Sequence, residues 1–199
     1  MHFDKDYIFH IYNRSNQTIF FNRNNYQFFI SKIRKHIKPF TEIIAYCLMP
    51  NHFHLLVKVN ENGVEMVGEK HRYNTQVLSK QIGIMLSAYT QAINNVFSLK
   101  GSLFAHQTKA KQLNNLSKII NNPNQNYARN CFMYIHQNPK ESGLVEKLED
   151  WEFSSFRDYI GKRSDNLVNK EMGFEITGID KENLYFLSNF AVEDLKEIW

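Results

Sequence analysis

The sequence predicts an α+β fold of the ferredoxin-like, split βαβ type, with one antiparallel sheet and helices on one of its faces. Three observations lead to this class. The predicted elements run β-α-β-β-α-β before a further helix, two long segments show a single helical apolar stripe, and one strand has a wholly apolar face. The further helix, which carries a tyrosine, is then free to lie over the opposite face of the sheet.

The first half of the chain supplies a strand, a helix and a β-hairpin. Aromatic and β-branched residues predict a strand over 7–13. Apolar residues at i, i+3, i+4, i+7 and i+11 predict a helix over 24–38. Two further strands, 41–49 and 52–59, are joined by a Pro-Asn turn and form the hairpin.

The second half adds a long helix, a strand and a last core helix. A polar segment with two glycines predicts an exposed loop over 60–72, and an apolar stripe predicts a helix over 74–97. A fourth strand is expected over 102–113. An asparagine-rich segment, 114–126, is expected to be a loop before the helix at 127–138, which the following proline would end.

The chain is expected to form one domain over residues 1–161 and a C-terminal extension over 162–199, with a short helix at 191–199. No apolar run reaches membrane-spanning length and the N-terminus has no signal-peptide core, so we expect a cytoplasmic protein that does not enter a membrane. Cys47 and Cys131 have no short spacing and are expected to be reduced core thiols. The net charge of +4 permits a nucleic-acid partner without requiring one.

Two histidines stand one strand repeat apart in the segment from 52 to 59. Because side chains alternate along a strand, His52, His54 and Lys58 share the face opposite the apolar one. Imidazoles at this spacing can bind one metal ion together. Histidine is also found solvated or hydrogen-bonded within a core, so the pair alone leaves both interpretations open. Lys58 likewise fits either a phosphate contact or a solvated side chain.

Polar side chains line one face of the predicted helix at 127–138. Asn130, Tyr134 and Asn138 recur at i, i+4 and i+8, so the Tyr134 hydroxyl and the Asn138 amide share a face. His136 falls on a different face. A single tyrosine on a helix is ordinarily a core or surface residue. The spacing indicates a functional site only in combination with the histidine strand.

Six motifs follow one another in a fixed order: His10-Ile-Tyr-Asn-Arg14, Met49-Pro-Asn-His-Phe-His-Leu-Leu-Val57, Gly101-Ser-Leu-Phe104, Tyr134-Ile-His-Gln-Asn-Pro139, Gly143-Leu-Val145 and Trp151-Glu-Phe-Ser-Ser-Phe-Arg-Asp-Tyr-Ile-Gly161. Together they resemble the single-tyrosine HUH transposases, most closely the branch called REP-associated tyrosine transposases. HUH denotes the His-hydrophobic-His strand, here His52-Phe53-His54. The resemblance spans residues 7–161.

The resemblance implies the fold predicted above and a metal-dependent enzyme that cuts and rejoins single-stranded DNA. His52, His54 and Asn138 match the metal ligands of the family. Tyr134 matches its nucleophile, which would form a covalent 5′-phosphotyrosine and leave a free 3′-hydroxyl.

The ligand set implied by the resemblance is neutral, so a bound divalent ion would keep its charge and polarise a phosphate oxygen. Mg²⁺ prefers oxygen ligands and two imidazoles suit Mn²⁺, so either ion is expected. Gln137 is an alternative to Asn138 as the amide ligand. A phenol has an ordinary pKa of about 10, so the metal or a base such as His136 would have to assist its ionisation.

Members of this family recognise imperfect hairpins in single-stranded DNA and are often dimers. We therefore expect hairpin DNA and a second copy of the chain as partners, and association with a prokaryotic nucleoid. The candidate DNA contacts are Arg14, Lys58, His106, Lys109 and Lys111. The side chains of the predicted fourth strand fit a solvated edge at least as well.

The chain departs from the family pattern at two places. Lys140-Glu141-Ser142 stand where the family usually has Val-Arg-Ala, and residues 105–108 lack the arginine that often follows the Leu-Phe pair. Both changes remove positive charge from expected DNA-facing positions. They keep open a non-catalytic binder of hairpin DNA or RNA on the same fold, whereas a replication initiator or relaxase would typically need a longer chain.

Overall fold

The computed structural model describes residues 1–68, 75–113 and 127–187, with side chains described as far as residue 184. A four-stranded sheet forms its centre, and helices pack on both faces of this sheet. The strands are β1 (Ile8–Arg14), β2 (Thr41–Met49), β3 (His52–Val59), β4 (Met66–Val67), β5 (Thr75–Gln76) and β6 (Lys109–Gln112). The helices are α1 (Arg23–His36), α2 (Glu61–Val64), α3 (Val77–Phe97), α4 (Tyr127–Glu141), α5 (Phe156–Tyr159), α6 (Lys170–Thr177) and α7 (Lys181–Leu187).

The four main strands lie in the order β2-β3-β1-β6, and every neighbouring pair is antiparallel. This is the order of a split βαβ fold, in which the hairpin returns β3 between β1 and β2. It confirms the predicted α+β class. The short strands β4 and β5 form a separate two-stranded sheet.

Side chains on the two faces of β3 contact different helices. Phe53 packs against Phe29 of α1, with ring centroids 5.2 Å apart. Tyr89 of α3 contacts Phe29 at 5.0 Å, so α1 and α3 cover the apolar face that the alternation predicts. On the other face, the ring of Tyr134 in α4 lies 5.4 Å from that of His54. The tyrosine helix therefore covers the histidine face, as predicted.

The prediction of a loop over 60–72 is wrong for the residues that form α2 and β4. The side chain of Asn60 caps a short helix, α2, by accepting a hydrogen bond from the backbone N–H of Gly63. The chain then pairs β4 with β5, and α3 begins after β5 rather than at residue 74. Residues 69–74 lie outside the described part of the chain.

The fourth strand predicted over 102–113 is present only as the short strand β6, which pairs with β1 from Phe9 to Tyr12. Beyond Tyr12, hydrogen bonds from the Asn13 side chain replace the backbone pairing of the strand. This side chain accepts from the N–H of Ala105 and donates to the Ala105 carbonyl and the Thr108 hydroxyl. These side-chain hydrogen bonds compete with the strand ladder, so the preceding residues are irregular.

Helix α4 runs to Glu141, three residues beyond the predicted end. Pro139 lies inside the helix and removes one backbone donor, but the N–H of Ser142 still donates to the Asn138 carbonyl. The helix ends before Gly143, which adopts a left-handed conformation with φ of 68°. The glycine, rather than the proline, is the stop signal.

The described part of the 162–199 extension packs against the sheet and α4. The backbone N–H of Asn169 donates to the Ile43 carbonyl of β2 at 2.8 Å, and α6 contacts both β2 and α4. Arg163 donates to the buried carboxylate of Asp158. These contacts continue the core of residues 1–161 into the extension.

Three further expectations concern the chain as a whole. Cys47 and Cys131 are buried and form no disulfide, as predicted. Within the described residues, no helix is long and apolar enough to cross a membrane. The loop predicted over 114–126 and the short helix predicted at 191–199 fall outside the described residues.

Candidate active site

The two histidines of β3 lie side by side under α4. The rings of His52 and His54 have centroids 5.0 Å apart and are nearly perpendicular. His54 is 1% exposed, whereas His52 is half-buried at the start of the strand. The strand brings both to one face because a single residue, the buried Phe53, separates them.

Helix α4 places Asn138 between the histidines and the tyrosine. Its amide nitrogen is 3.3 Å from Nε2 of His54, and its side chain also hydrogen-bonds Tyr134. The i, i+4 spacing puts both polar groups of the helix on one face. The structure thus brings together the four residues that the sequence predicts as nucleophile and metal ligands.

The second nitrogen of each imidazole is engaged on the side away from Asn138. Nδ1 of His52 is 2.6 Å from the side-chain oxygen of Asn51. An amide oxygen only accepts, so this Nδ1 carries the proton and Nε2 keeps its lone pair. Nδ1 of His54 is 2.9 Å from Nε2 of His10 on β1. Both imidazoles are therefore held at one nitrogen, which is typical of metal-binding histidines.

Burial keeps both imidazoles neutral at neutral pH. It lowers the pKa of His52 to about 4, and the positive charge of Arg14 adds to the effect. The pKa of His54 is lowered well below its usual value by burial and by the neighbouring imidazoles. Burial raises the pKa of Tyr134, while the hydrogen bond with Asn138 acts in the opposite direction. The phenol is therefore protonated at neutral pH.

An open cavity of about 290 Å³ lies over these groups. It is lined by Tyr12, Arg14, His52, His54, Tyr134, Asn138 and Ser142. Two of these residues, Tyr12 and Ser142, are not among those predicted from the sequence. Tyr12 is the β1 partner of His54 in the sheet register, and Ser142 follows Asn138 by four positions. Strand pairing and the continued i, i+4 spacing are the signals that identify them.

The two accessory residues predicted beside Asn138 do not line the cavity. His136 is fully buried, with Nε2 2.7 Å from the hydroxyl of Ser155. Its ring packs edge-on against Phe132. Gln137 is buried as well. The roles predicted for them, as base and as alternative ligand, gain no support from this geometry.

Three of the predicted DNA contacts lie on the histidine face in β1 and β6. Arg14 lines the cavity. Lys109 and Lys111 of β6 stand opposite Tyr12 and His10 in the sheet register, and paired residues share a face of the sheet. Arg14 therefore brings positive charge to the cavity itself, and Lys109 and Lys111 add positive charge to the same face of the sheet.

The other two predicted DNA contacts lie away from the cavity, although Lys58 is on the histidine face. Lys58 stands near the far end of β3 and forms an ion pair with Asp6, with the nitrogen and oxygen 3.7 Å apart. His106 borders a different cavity, beside α3. Neither residue joins the cluster around Tyr134.

The donor set fits a divalent metal ion. Nε2 of His54 faces the Asn138 amide, and rotation of that amide by 180° would bring its oxygen to the place of its nitrogen. The ring of His52 lies beside that of His54, with centroids 5.0 Å apart. Among the residues that the structure describes, no cluster of three or more His, Cys, Asp or Glu side chains is arranged to hold a metal ion. The two imidazoles with the amide are the set that the chain offers in this cavity.

No protein-family model matches the chain, and no curated protein matches it. The chain is similar to a solved structure of a REP-associated tyrosine transposase bound to a REP hairpin, with a TM-score of 0.54 and 18% sequence identity. The alignment covers 85% of this chain and 92% of that chain. The similarity confirms, at the level of the fold, the resemblance seen in the six motifs.

Proposed function

We propose that this protein is a metal-dependent single-strand DNA endonuclease and strand-transferase, a transposase that acts at hairpin-bearing sites. The observation that carries the proposal is the convergence of Tyr134, His52, His54 and Asn138 on one open cavity. A protein that only bound hairpins would need neither a tyrosine nor two neutral imidazoles there. The structural similarity to a hairpin-bound tyrosine transposase supports hairpin DNA as the substrate class.

His52, His54 and Asn138 would hold the metal ion, Mg²⁺ or Mn²⁺. When bound, the ion would supply positive charge beside the scissile phosphate, and the neutral ligands would leave that charge uncompensated. The chain's own part is to keep the imidazoles neutral through burial.

Tyr134 is the proposed nucleophile. Its phenolic oxygen forms a bond to phosphorus while the bond from phosphorus to the 3′ oxygen breaks. The tyrosine proton passes to solvent, and the 3′ oxygen takes up a proton. The products are a 5′-phosphotyrosine and a free 3′-hydroxyl. A second 3′-hydroxyl can reverse the step and join new ends, because the phosphoester bond is conserved.

The single strand would lie along the histidine face of the sheet. Arg14 lines the cavity, and Lys109 and Lys111 stand on the same face of the sheet in β6. Cations of this kind neutralise phosphates without reading sequence. Homodimerisation and association with the nucleoid stay predictions.

A denaturing-gel assay tests the proposed function. Protein, Mn²⁺ and single-stranded fragments of the DNA that flanks its own gene are incubated, and detergent stops the reaction. We expect a slower protein band that nuclease treatment trims back and that EDTA prevents. Hairpin binding in native gels without a covalent band under any condition would contradict catalysis and favour the non-catalytic binder.

Loss of His52 should remove the stabilisation of the protein by Mn²⁺. A ligand at one hundred times its Kd stabilises the folded state by about 2.7 kcal/mol, which raises the melting temperature of a chain of this size by about 5–10 °C. We expect this rise for the wild type and none for His52→Ala, because His52 is half-buried and its truncation spares the core.

The matched control is His2→Ala, whose side chain is 79% exposed and lies outside the cavity. Melting curves recorded with and without Mn²⁺ should show the wild-type rise in this variant. The same rise in His52→Ala would contradict the proposed metal site.

A further inference from the structure

We propose that His10 is a positioning residue of this site, which holds His54 in the tautomer whose Nε2 is free to bind the metal. The inference rests on the proposed function only in taking His54 as a metal ligand. His10 is completely buried and does not line the cavity. It therefore acts through His54 and does not touch the substrate.

The sheet register places His10 next to His54 on the same face. In the antiparallel pair of β1 and β3, Tyr12 stands opposite His54 and His10 stands opposite Leu56, so the two histidines are diagonal neighbours. Their rings are stacked with centroids 5.1 Å apart. Nε2 of His10 is 2.9 Å from Nδ1 of His54, which is a hydrogen bond.

The amide of Asn138 sets the direction of this hydrogen bond. The amide nitrogen donates to Nε2 of His54, so Nε2 is the unprotonated nitrogen of that imidazole. Nδ1 of His54 then carries the proton and donates to Nε2 of His10. The opposite direction would place the proton on Nε2 of His54 and remove the lone pair that a metal ligand needs.

The surroundings of His10 suit an acceptor. Its side chain is completely buried, and Lys111, its partner on β6, brings positive charge beside it. In many metal sites a carboxylate accepts the hydrogen bond from the ligating histidine. An imidazole fixes the tautomer without adding negative charge, so a bound metal ion would keep more of its charge for the phosphate.

Two substitutions separate the hydrogen bond from the packing of the side chain. His10→Gln keeps an amide oxygen that can accept from Nδ1 of His54, whereas His10→Leu fills a similar volume with no acceptor. Long-range ¹H–¹⁵N spectra of metal-free protein labelled with ¹⁵N-histidine show which nitrogen of His54 is protonated. Electron paramagnetic resonance of free Mn²⁺ gives the affinity for the metal.

We expect His54 to be protonated at Nδ1 in the wild type and in His10→Gln. In His10→Leu we expect a mixture of tautomers and an affinity for Mn²⁺ that is about 10–100-fold lower. His10→Gln should bind Mn²⁺ within about threefold of the wild type, because the acceptor is retained.

Protonation of His54 at Nε2 in the wild type would overturn the proposal, even if His10→Leu failed to fold. Equal Mn²⁺ affinity of all three proteins, or no binding by any of them, would also overturn it. Binding of Mn²⁺ that depends on His10 in a protein that forms no DNA adduct would instead overturn the proposed catalysis and leave this inference standing.

Discussion

Replacing Tyr134 with phenylalanine should abolish the covalent protein–DNA adduct and leave hairpin binding within about twofold, since phosphate contacts supply most of the affinity. The substitution removes one oxygen, the atom proposed to bond to phosphorus, and keeps the ring that packs against His54. Removal of a nucleophile lowers a rate by about 10⁴-fold or more. No adduct should be visible on a denaturing gel at any time that gives a full band with wild type.

The variant protein should remain folded. The lost hydroxyl hydrogen-bonds Asn138, and a single hydrogen bond of this kind contributes about 1 kcal/mol to stability. Equal melting temperatures within a few degrees would show that a missing adduct reflects chemistry and not unfolding.

Two other tyrosines make the test specific. Tyr127→Phe removes a hydroxyl from the start of the same helix, outside the cavity, and should form the adduct as wild type does. Tyr12→Phe removes the hydroxyl of the other tyrosine that lines the cavity. An adduct that survives in Tyr134→Phe and disappears in Tyr12→Phe would contradict the assignment and move the nucleophile to β1.

Local spacing places each pair of candidate groups on one face of a single element, and the resemblance of the six motifs then implies their roles. His52 and His54 are two residues apart on a strand, and Tyr134 and Asn138 are four apart on a helix. The period of each element alone fixes their shared face. The meeting of the two pairs then follows from the fold class, which places the last core helix over the free face of the sheet.

Groups contributed by other strands could not be found in this way. His10 and Tyr12 enter the site through the register between β1 and β3, and His10 lies 44 residues from the histidine that it contacts. Register depends on pairing across the sheet and leaves no mark in the period of either strand. The role of His10 therefore becomes visible only in three dimensions.

Element ends were mispredicted where one residue competes with the regular backbone pattern. Pro139 is a strong local stop signal, but near the end of a helix it removes a single donor and the turn continues to Gly143. Asn13 shortens the fourth strand by bonding the backbone of Ala105. In both cases the outcome depends on tertiary contacts that composition does not encode.

A methyl group added at Gly173 should lower the free energy of unfolding by about 2–3 kcal/mol, through overpacking and a broken buried hydrogen bond. The glycine lies in α6 over Tyr159, where a Cβ atom would be 2.8 Å from ring carbon Cζ and would overlap the hydroxyl oxygen. Tyr159 is buried, and its hydroxyl donates to the Ile44 carbonyl at 2.6 Å. The melting temperature should fall by about 5–10 °C.

Gly83→Ala is the matched control, because no atom lies within 4 Å of a Cβ atom added at that position of α3. Both substitutions gain about 0.5–1 kcal/mol of helix propensity, so the difference between the two variants isolates the clash. Equal melting temperatures would contradict the packing of α6.

The ring of Tyr159 also packs edge-on against Phe132 of α4. Loss of the adduct by Gly173→Ala at a temperature where it is still folded would show that the extension helps to position Tyr134.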